Sequence, residues 1–170
     1  MFILVRAVVY ARLFIAFLLV FLPARVLAWS GIASPSLGAL QVAGGVVAVA
    51  GAAVAVSCVL SFVFIGRGTP APFDPPRQLV VRGPYRFVRN PMYLGATLAL
   101  LGAAIYYQSL ALGAYALAFV LVMHAFVVLY EEPVLAQHFG AAYSDYRRHV
   151  GRWWPSRYQH QLTTNTDKGE

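Results

Sequence analysis

Residues 92–130 read MYLGATLALLGAAIYYQSLALGAYALAFVLVMHAFVVLY, two apolar runs parted by Gln108 and Ser109 and carrying no charged side chain. A helix crossing the hydrocarbon core of a bilayer needs about 20 apolar residues, within a range of about 17 to 25. The runs Met92–Tyr107 and Leu110–Tyr130 reach or approach that length, and two polar residues suffice for a tight turn. The spacing therefore predicts an antiparallel helical hairpin. Two earlier stretches read the same way: about Ile3 to Leu22, interrupted by Arg6 and Arg12, and the Gly-, Ala- and Val-rich stretch from about Leu40 to Ile65. The expected fold class is all-α, a polytopic membrane helical bundle of about four transmembrane helices plus a cytoplasmic amphipathic helix. The first stretch also has the parts of a cleaved signal peptide: a basic start, an apolar run Leu13–Leu22 and small residues near Ala28. The three spans behind it favour a retained first helix.

Composition agrees. Of 170 residues, 60% are hydrophobic and 11% charged, and the mean hydropathy is +0.67. Soluble domains carry about 25% charged residues, so a soluble enzyme or a disordered chain is excluded. The single cysteine, Cys58, excludes a disulfide scaffold. The net charge of +7 raises nucleic acid as a partner, but the arginines flank apolar runs, the pattern of membrane topology. Membrane lipids are the expected partners, not nucleic acid. With four spans, the N-terminus, the middle loop and the tail share one side, and every basic residue except Arg25 lies on it. The positive-inside rule makes that side cytoplasmic. The expectation is a multi-pass integral membrane protein with both termini in the cytoplasm, in the inner membrane if bacterial. Twelve arginines to one lysine suggest a GC-rich bacterial genome.

The chain reads as one membrane domain, 1–170. Within it, 1–65 holds two spans, 66–91 a cytoplasmic loop, 92–130 the hairpin, 131–157 an amphipathic helix and anchor, and 158–170 a disordered polar tail. In the loop, the prolines from Pro70 to Pro76 force an extended segment, Gly83-Pro84-Tyr85 is a turn, and Pro91 suits an early helical position. Gly38 and Gly45, Gly44 and Gly51, Ala48 and Ala52 give the second span a small face, as Gly95, Ala99, Gly102 and Ala103 give the third. Small residues let membrane helices approach closely. Beyond Glu131 a helix of about four turns presents Leu135, Phe139, Tyr143 and Tyr146 on one face. Arg152-Trp153-Trp154-Pro155 is an interfacial anchor.

Glu131 and Glu132, two of only six acids, adjoin the apolar run that ends at Tyr130. They either mark the membrane boundary and open the next helix, where carboxylates favour the dipole, or they carry chemistry. His124 lies seven residues earlier, nearly in phase on a regular helix. Ionisable groups at membrane depth usually face the bundle interior, although a neutral imidazole bonding across helices is the plainer reading. The sequence has no Cys/His cluster with metal-ligand spacing, so no metal site is expected, and no phosphate-binding Gly-rich loop.

Arg89-Asn90-Pro91-Met92-Tyr93-Leu94-Gly95 resembles the Arg-(His/Asn)-Pro-x-Tyr-x-Gly signature of integral membrane methyltransferases. That family includes isoprenylcysteine carboxyl methyltransferases and phosphatidylethanolamine (phospholipid) N-methyltransferases. The resemblance continues through Leu101-Gly102, Leu129-Tyr130-Glu131-Glu132-Pro133, Phe139-Gly140 with Tyr143 and Tyr146, and Val150 before Arg152 and Pro155. Asn90-Pro91-Met92-Tyr93 and Tyr130-Glu131-Glu132-Pro133 are most like the phospholipid branch and the tail is more like the prenylcysteine branch, whose common histidine is replaced by Asn90.

What the resemblance implies is S-adenosylmethionine as cofactor, bound at the cytoplasmic end of the hairpin. Tyr85, Arg89, Asn90, Pro91, Tyr93 and Gly95 would line one side, and Tyr130, Glu131 and Glu132 the other. Carboxylates and aromatic faces attract a sulfonium cation, a planar guanidinium suits the cofactor's carboxylate, and Gly95 would admit the cofactor to the backbone. Glu131, Glu132, His124 and Arg89 are the candidate catalytic residues, with His124 or a glutamate as base for an amine acceptor. For a carboxylate acceptor no base is needed, and Arg86 could orient it. The expected acceptor is a lipid or lipidated small molecule, methylated on an amine nitrogen or a carboxyl oxygen. Replacing Tyr93 or Glu132 is expected to weaken cofactor binding without unfolding the bundle. Two readings compete: a sterol-reductase-like, NADPH-dependent membrane reductase with a similar Arg-x-Pro-x-Tyr-x-Gly segment, and a non-enzymatic bundle in which the ionisable residues only join helices.

Overall fold

A computed structural model describes residues 17–32, 35–61 and 79–155. Arg6, Arg12, most of the first apolar stretch, the proline-rich segment with Arg67 and Arg77, and the tail with Arg157 and Lys168 lie outside the described residues. Within them the chain is helical, and the single β-type pairing is an isolated parallel bridge between Val88 and Gly151.

A π-turn, Phe17–Phe21, leads into α1, Leu22–Trp29. Pro23 sits in the first turn of α1, where a missing N–H is harmless. Helix α2 is Ala39–Ser61 and α3 is Pro91–Tyr107, with Pro91 at the helix start as expected. Helix α4 is Leu110–Phe126. Between α3 and α4, Gln108 takes the left-handed conformation (φ 50°) and the Ser109 hydroxyl caps α4 by accepting from the Leu112 N–H at 3.3 Å. The hairpin forms around Ala96, Leu100, Ala116 and Phe119. Tyr115 of α4 donates to the Leu18 carbonyl at 2.6 Å and ties in the first helical segment.

The tightest packing joins α3 to α2 rather than to its hairpin partner. A Cβ on Gly44 would come within 2.5 Å of the Tyr106 nitrogen, one on Gly51 within 2.4 Å of the Ala99 nitrogen, and one on Gly102 within 2.3 Å of the Ala48 nitrogen. These pairings run Gly44 to Gly102 and Gly51 to Gly95, so the helices are antiparallel with their backbones in contact. Of the two glycine pairs expected to matter in α2, only Gly44 and Gly51 lie in this seam. Gly45 meets nothing nearer than the Tyr106 ring, at 4.0 Å.

After α4 the helix does not stop at the glutamates. A π-turn, Val127–Glu131, passes directly into α5, Glu132–Phe139. Among the described residues, the continuous helix Leu110–Phe139 and α2 are the two helices long and apolar enough to cross a membrane, each with a mean hydropathy of 2.3. The segment Phe17–Trp29 and α3 are apolar but shorter. The amphipathic helix expected from Glu131 onward is two helices, because Gly140 adopts φ 52° and ψ −120°, which no helix accommodates. Helix α6 follows, Ala141–His149. Its expected aromatic face survives the break: Tyr143, Tyr146 and Val150 pack with Leu79, Leu135, Ala136 and Phe139.

Candidate functional site

The start of α3, the π-turn and the chain beyond α6 converge at one end of the hairpin. Gly83–Arg86 forms a 3-10 turn, with Gly83 at φ 63°, and the Tyr146 hydroxyl of α6 donates to the Tyr85 carbonyl at 2.6 Å. The Tyr85 ring is buried with Cys58 and Val80. Burial pushes its phenol well above the usual range, and Cys58 and the Glu131 carboxylate nearby push the same way. Burial also raises the Tyr146 hydroxyl.

Glu131 and Glu132 are neighbours with different partners. Tyr93, on the first turn of α3, donates to Glu131 Oε2 at 3.0 Å, and among the described residues Glu131 has no other hydrogen-bond partner. Glu132 is buried, its side chain 7% exposed, amid three guanidinium groups. Arg89 Nη1 lies 3.0 Å from its Oε1. Arg152 grips both oxygens, Nε at 2.7 Å and Nη2 at 2.9 Å. Arg147 stands 3.9 Å from Oε2. The fork geometry at Arg152 is the strong, bidentate kind, and the carboxylate holds the Arg152 proton more firmly than usual. Arg89, 10% exposed, also donates to the Tyr143 hydroxyl at 3.4 Å, and among the described residues its Nε is a buried donor without a partner. Asn90 is buried at the N-cap of α3, and its Nδ2 donates to the Arg152 carbonyl at 3.3 Å.

The structure thus brings together Tyr85, Arg89, Asn90, Pro91, Tyr93, Glu131 and Glu132. Three expected site residues go elsewhere. Gly95 faces α2: a Cβ there would meet the Gly51 carbonyl oxygen at 2.7 Å and the Ala55 nitrogen at 2.8 Å. Its lack of a side chain serves helix packing, not access to a cofactor. Tyr130 is exposed and stacks on Phe126, ring centroids 5.2 Å apart. His124 is exposed and accepts the Trp153 indole N–H at Nδ1, 3.1 Å away. The π-turn is the reason: its extra residue offsets everything downstream by about 100°, so the phase relation of a regular helix fails between His124 and Glu131. Arg147, Arg152 and Tyr143 are site residues that sequence reading assigns to a helix end, an interfacial anchor and an aromatic helix face. Two adjacent acids at the end of an apolar run, with Arg89 the one cation in the matching motif, are the sequence signal that further cations are needed.

Removing the Tyr93 hydroxyl isolates one of these contacts. Tyr93→Phe is expected to cost about 1 kcal/mol, rising to about 3 where the Glu131 carboxylate is ionised, read as a lower midpoint of thermal unfolding in detergent.

No curated protein and no solved structure matches the chain significantly. A family does. The match runs over residues 37–142, more than half of the chain, and takes in α2, α3, the Arg89–Gly95 segment, α4, the π-turn and both glutamates. It gives no support to a nicotinamide-dependent reductase. The seam that packs α3 on α2 and the paired carboxylates at the end of the long helix therefore fall inside one family match, and the chain belongs to the phospholipid methyltransferase family.

Proposed function

We propose that the protein is an S-adenosylmethionine-dependent membrane methyltransferase whose acceptor is a lipid amine reached from the bilayer. The observation that carries this is the division of labour between adjacent carboxylates: among the described residues Glu132 is saturated by guanidinium groups, while Glu131 has only a phenol. The donor set fits the cofactor. Arg89 offers a buried Nε with no partner, suited to a carboxylate, and Glu131 with the Tyr93 and Tyr85 rings offers an anionic, aromatic wall suited to a sulfonium. When bound, S-adenosylmethionine supplies a methyl group already activated on a cationic sulfur.

The residues then have separable roles. Arg89 holds the carboxylate end, and Glu132 holds Arg89. Tyr93 orients Glu131. An ammonium acceptor must lose a proton before its nitrogen can attack, and Glu131, which no guanidinium occupies, is the base. His124, exposed and engaged with Trp153, has no part in that transfer. The enzyme otherwise aligns the acceptor and keeps out water. We place four spans in the membrane, counting the first apolar stretch, about Ile3 to Leu22, and α3 with the two long helices, with both termini and the 66–91 loop on the cytoplasmic side.

The test uses purified protein in lipid nanodiscs, methyl-labelled S-adenosylmethionine and a total lipid extract. Label entering the organic phase and surviving mild base is the expected result, and Glu131→Gln should lower it at least about a hundredfold, the usual worth of a general base. Label released as methanol would assign a carboxyl acceptor instead. Absence of both label transfer and cofactor binding would overturn the assignment.

A further inference from the structure

Residues 151–153, just after α6, are tied in succession to three other elements. The Gly151 carbonyl accepts from the Arg89 N–H at 2.9 Å. Arg152 clamps Glu132 through its side chain and takes the Asn90 amide on its carbonyl. Trp153 donates its indole N–H to His124 on α4. This strap lies beyond residue 142, where the family match ends.

Arg152 is 30% exposed, so water competes for its guanidinium. What keeps it across Glu132 is the placing of the strap. At the strap's far end Trp154 is 82% exposed, and among the described residues the Trp153–His124 bond is the last polar tie. We propose that Trp153, held by His124, is a positioning residue: it fixes Arg152 over both oxygens of Glu132 and thereby sets the affinity of the site for the methyl donor. This rests on the donor reading above.

The tie has a fixed polarity. An indole nitrogen can only donate, so His124 accepts at Nδ1 and carries its proton on Nε2. Any side chain at 124 that places an acceptor there can hold the indole, and one without an acceptor cannot.

The experiment measures S-adenosylhomocysteine binding to the full chain in nanodiscs by calorimetry. Trp153→Phe keeps an aromatic side chain and loses the N–H. It should weaken binding roughly three- to tenfold, the worth of one hydrogen bond, while thermal unfolding moves little. His124→Gln offers an amide oxygen that accepts the indole proton, so it should bind as wild type does, whereas His124→Leu has no acceptor and should weaken binding as Trp153→Phe does. With only three tryptophans in the chain, the Trp153 indole resonance is identified by its loss in Trp153→Phe. It should stay in place in His124→Gln and shift in His124→Leu. Wild-type affinity in Trp153→Phe, or equal affinity in His124→Gln and His124→Leu, overturns the inference alone. No binding by wild type overturns the donor reading and the inference with it.

Discussion

Glu132→Gln is expected to cost the protein several kcal/mol and to abolish donor binding. The substitution keeps shape and removes charge, leaving Arg89 buried and Arg152 and Arg147 without their shared carboxylate. Removing one member of a buried ion pair typically costs about 3–5 kcal/mol. The lower figure applies here, because Arg152 and Arg147, 30% and 46% exposed, can turn to water, whereas Arg89 cannot. The readouts are the midpoint of thermal unfolding in detergent and the affinity for S-adenosylhomocysteine. Arg148→Ala is the control. Its pair with Asp145 is exposed on both sides and should change stability by about 0.5 kcal/mol or less. The expectation that Glu132 could be replaced with the bundle intact is therefore revised: this carboxylate is a counter-ion for the fold as well as a part of the site. A Glu132→Gln protein as stable as Arg148→Ala would show that the guanidinium groups find other partners.

The second large effect lies at the other end of α3. Gly102→Val should separate α2 from α3, because even a Cβ would stand 2.3 Å from the Ala48 nitrogen and 2.7 Å from the Gly44 carbonyl oxygen. Backbone atoms cannot swing aside as a side-chain tip can. Overpacking a core costs about 1–3 kcal/mol, and the upper end or more is expected here. Gly113, on α4, meets nothing within 4 Å of its ideal Cβ, so Gly113→Ala should instead gain up to about 1 kcal/mol from helix propensity. Thermal unfolding of the two variants side by side checks both signs. If Gly102→Val melts with wild type, the glycine seam is not the contact that holds α3 in place.

Much of this architecture is visible in the chain itself. Gln108 and Ser109 mark the hairpin, Pro91 marks the start of α3, and the small faces of α2 and α3 are legible as packing surfaces. Which surface each small face meets is not, since lipid and helix are equally apolar and only three-dimensional register pairs Gly51 with Gly95. Gly95 was drawn into the site for the same reason: a glycine that admits a helix and one that admits a ligand look alike in sequence. The π-turn is invisible because Val127 to Glu131 carries no residue that demands it, yet it decides which way Tyr130 and His124 point. Gly140 does carry the signal for its break, but the aromatic spacing across it reads as a single helix. Arg152 is hidden just before two tryptophans, where a cation ordinarily meets headgroups rather than a buried acid.

The offset at Val127–Glu131 has an evolutionary consequence. Upstream of it, the long helix packs Ala116 and Phe119 against α3 and turns Leu117, Leu121 and Val122 outward, where any bulky apolar residue serves. Downstream, it answers to two carboxylates and their arginines, where a single exchange is felt. A regular helix would force one angular frame on both halves. The inserted residue uncouples them, so the outward surface can adapt to a different bilayer without turning the glutamates, and the reactive end can take on a new acceptor without disturbing how the protein sits in its membrane.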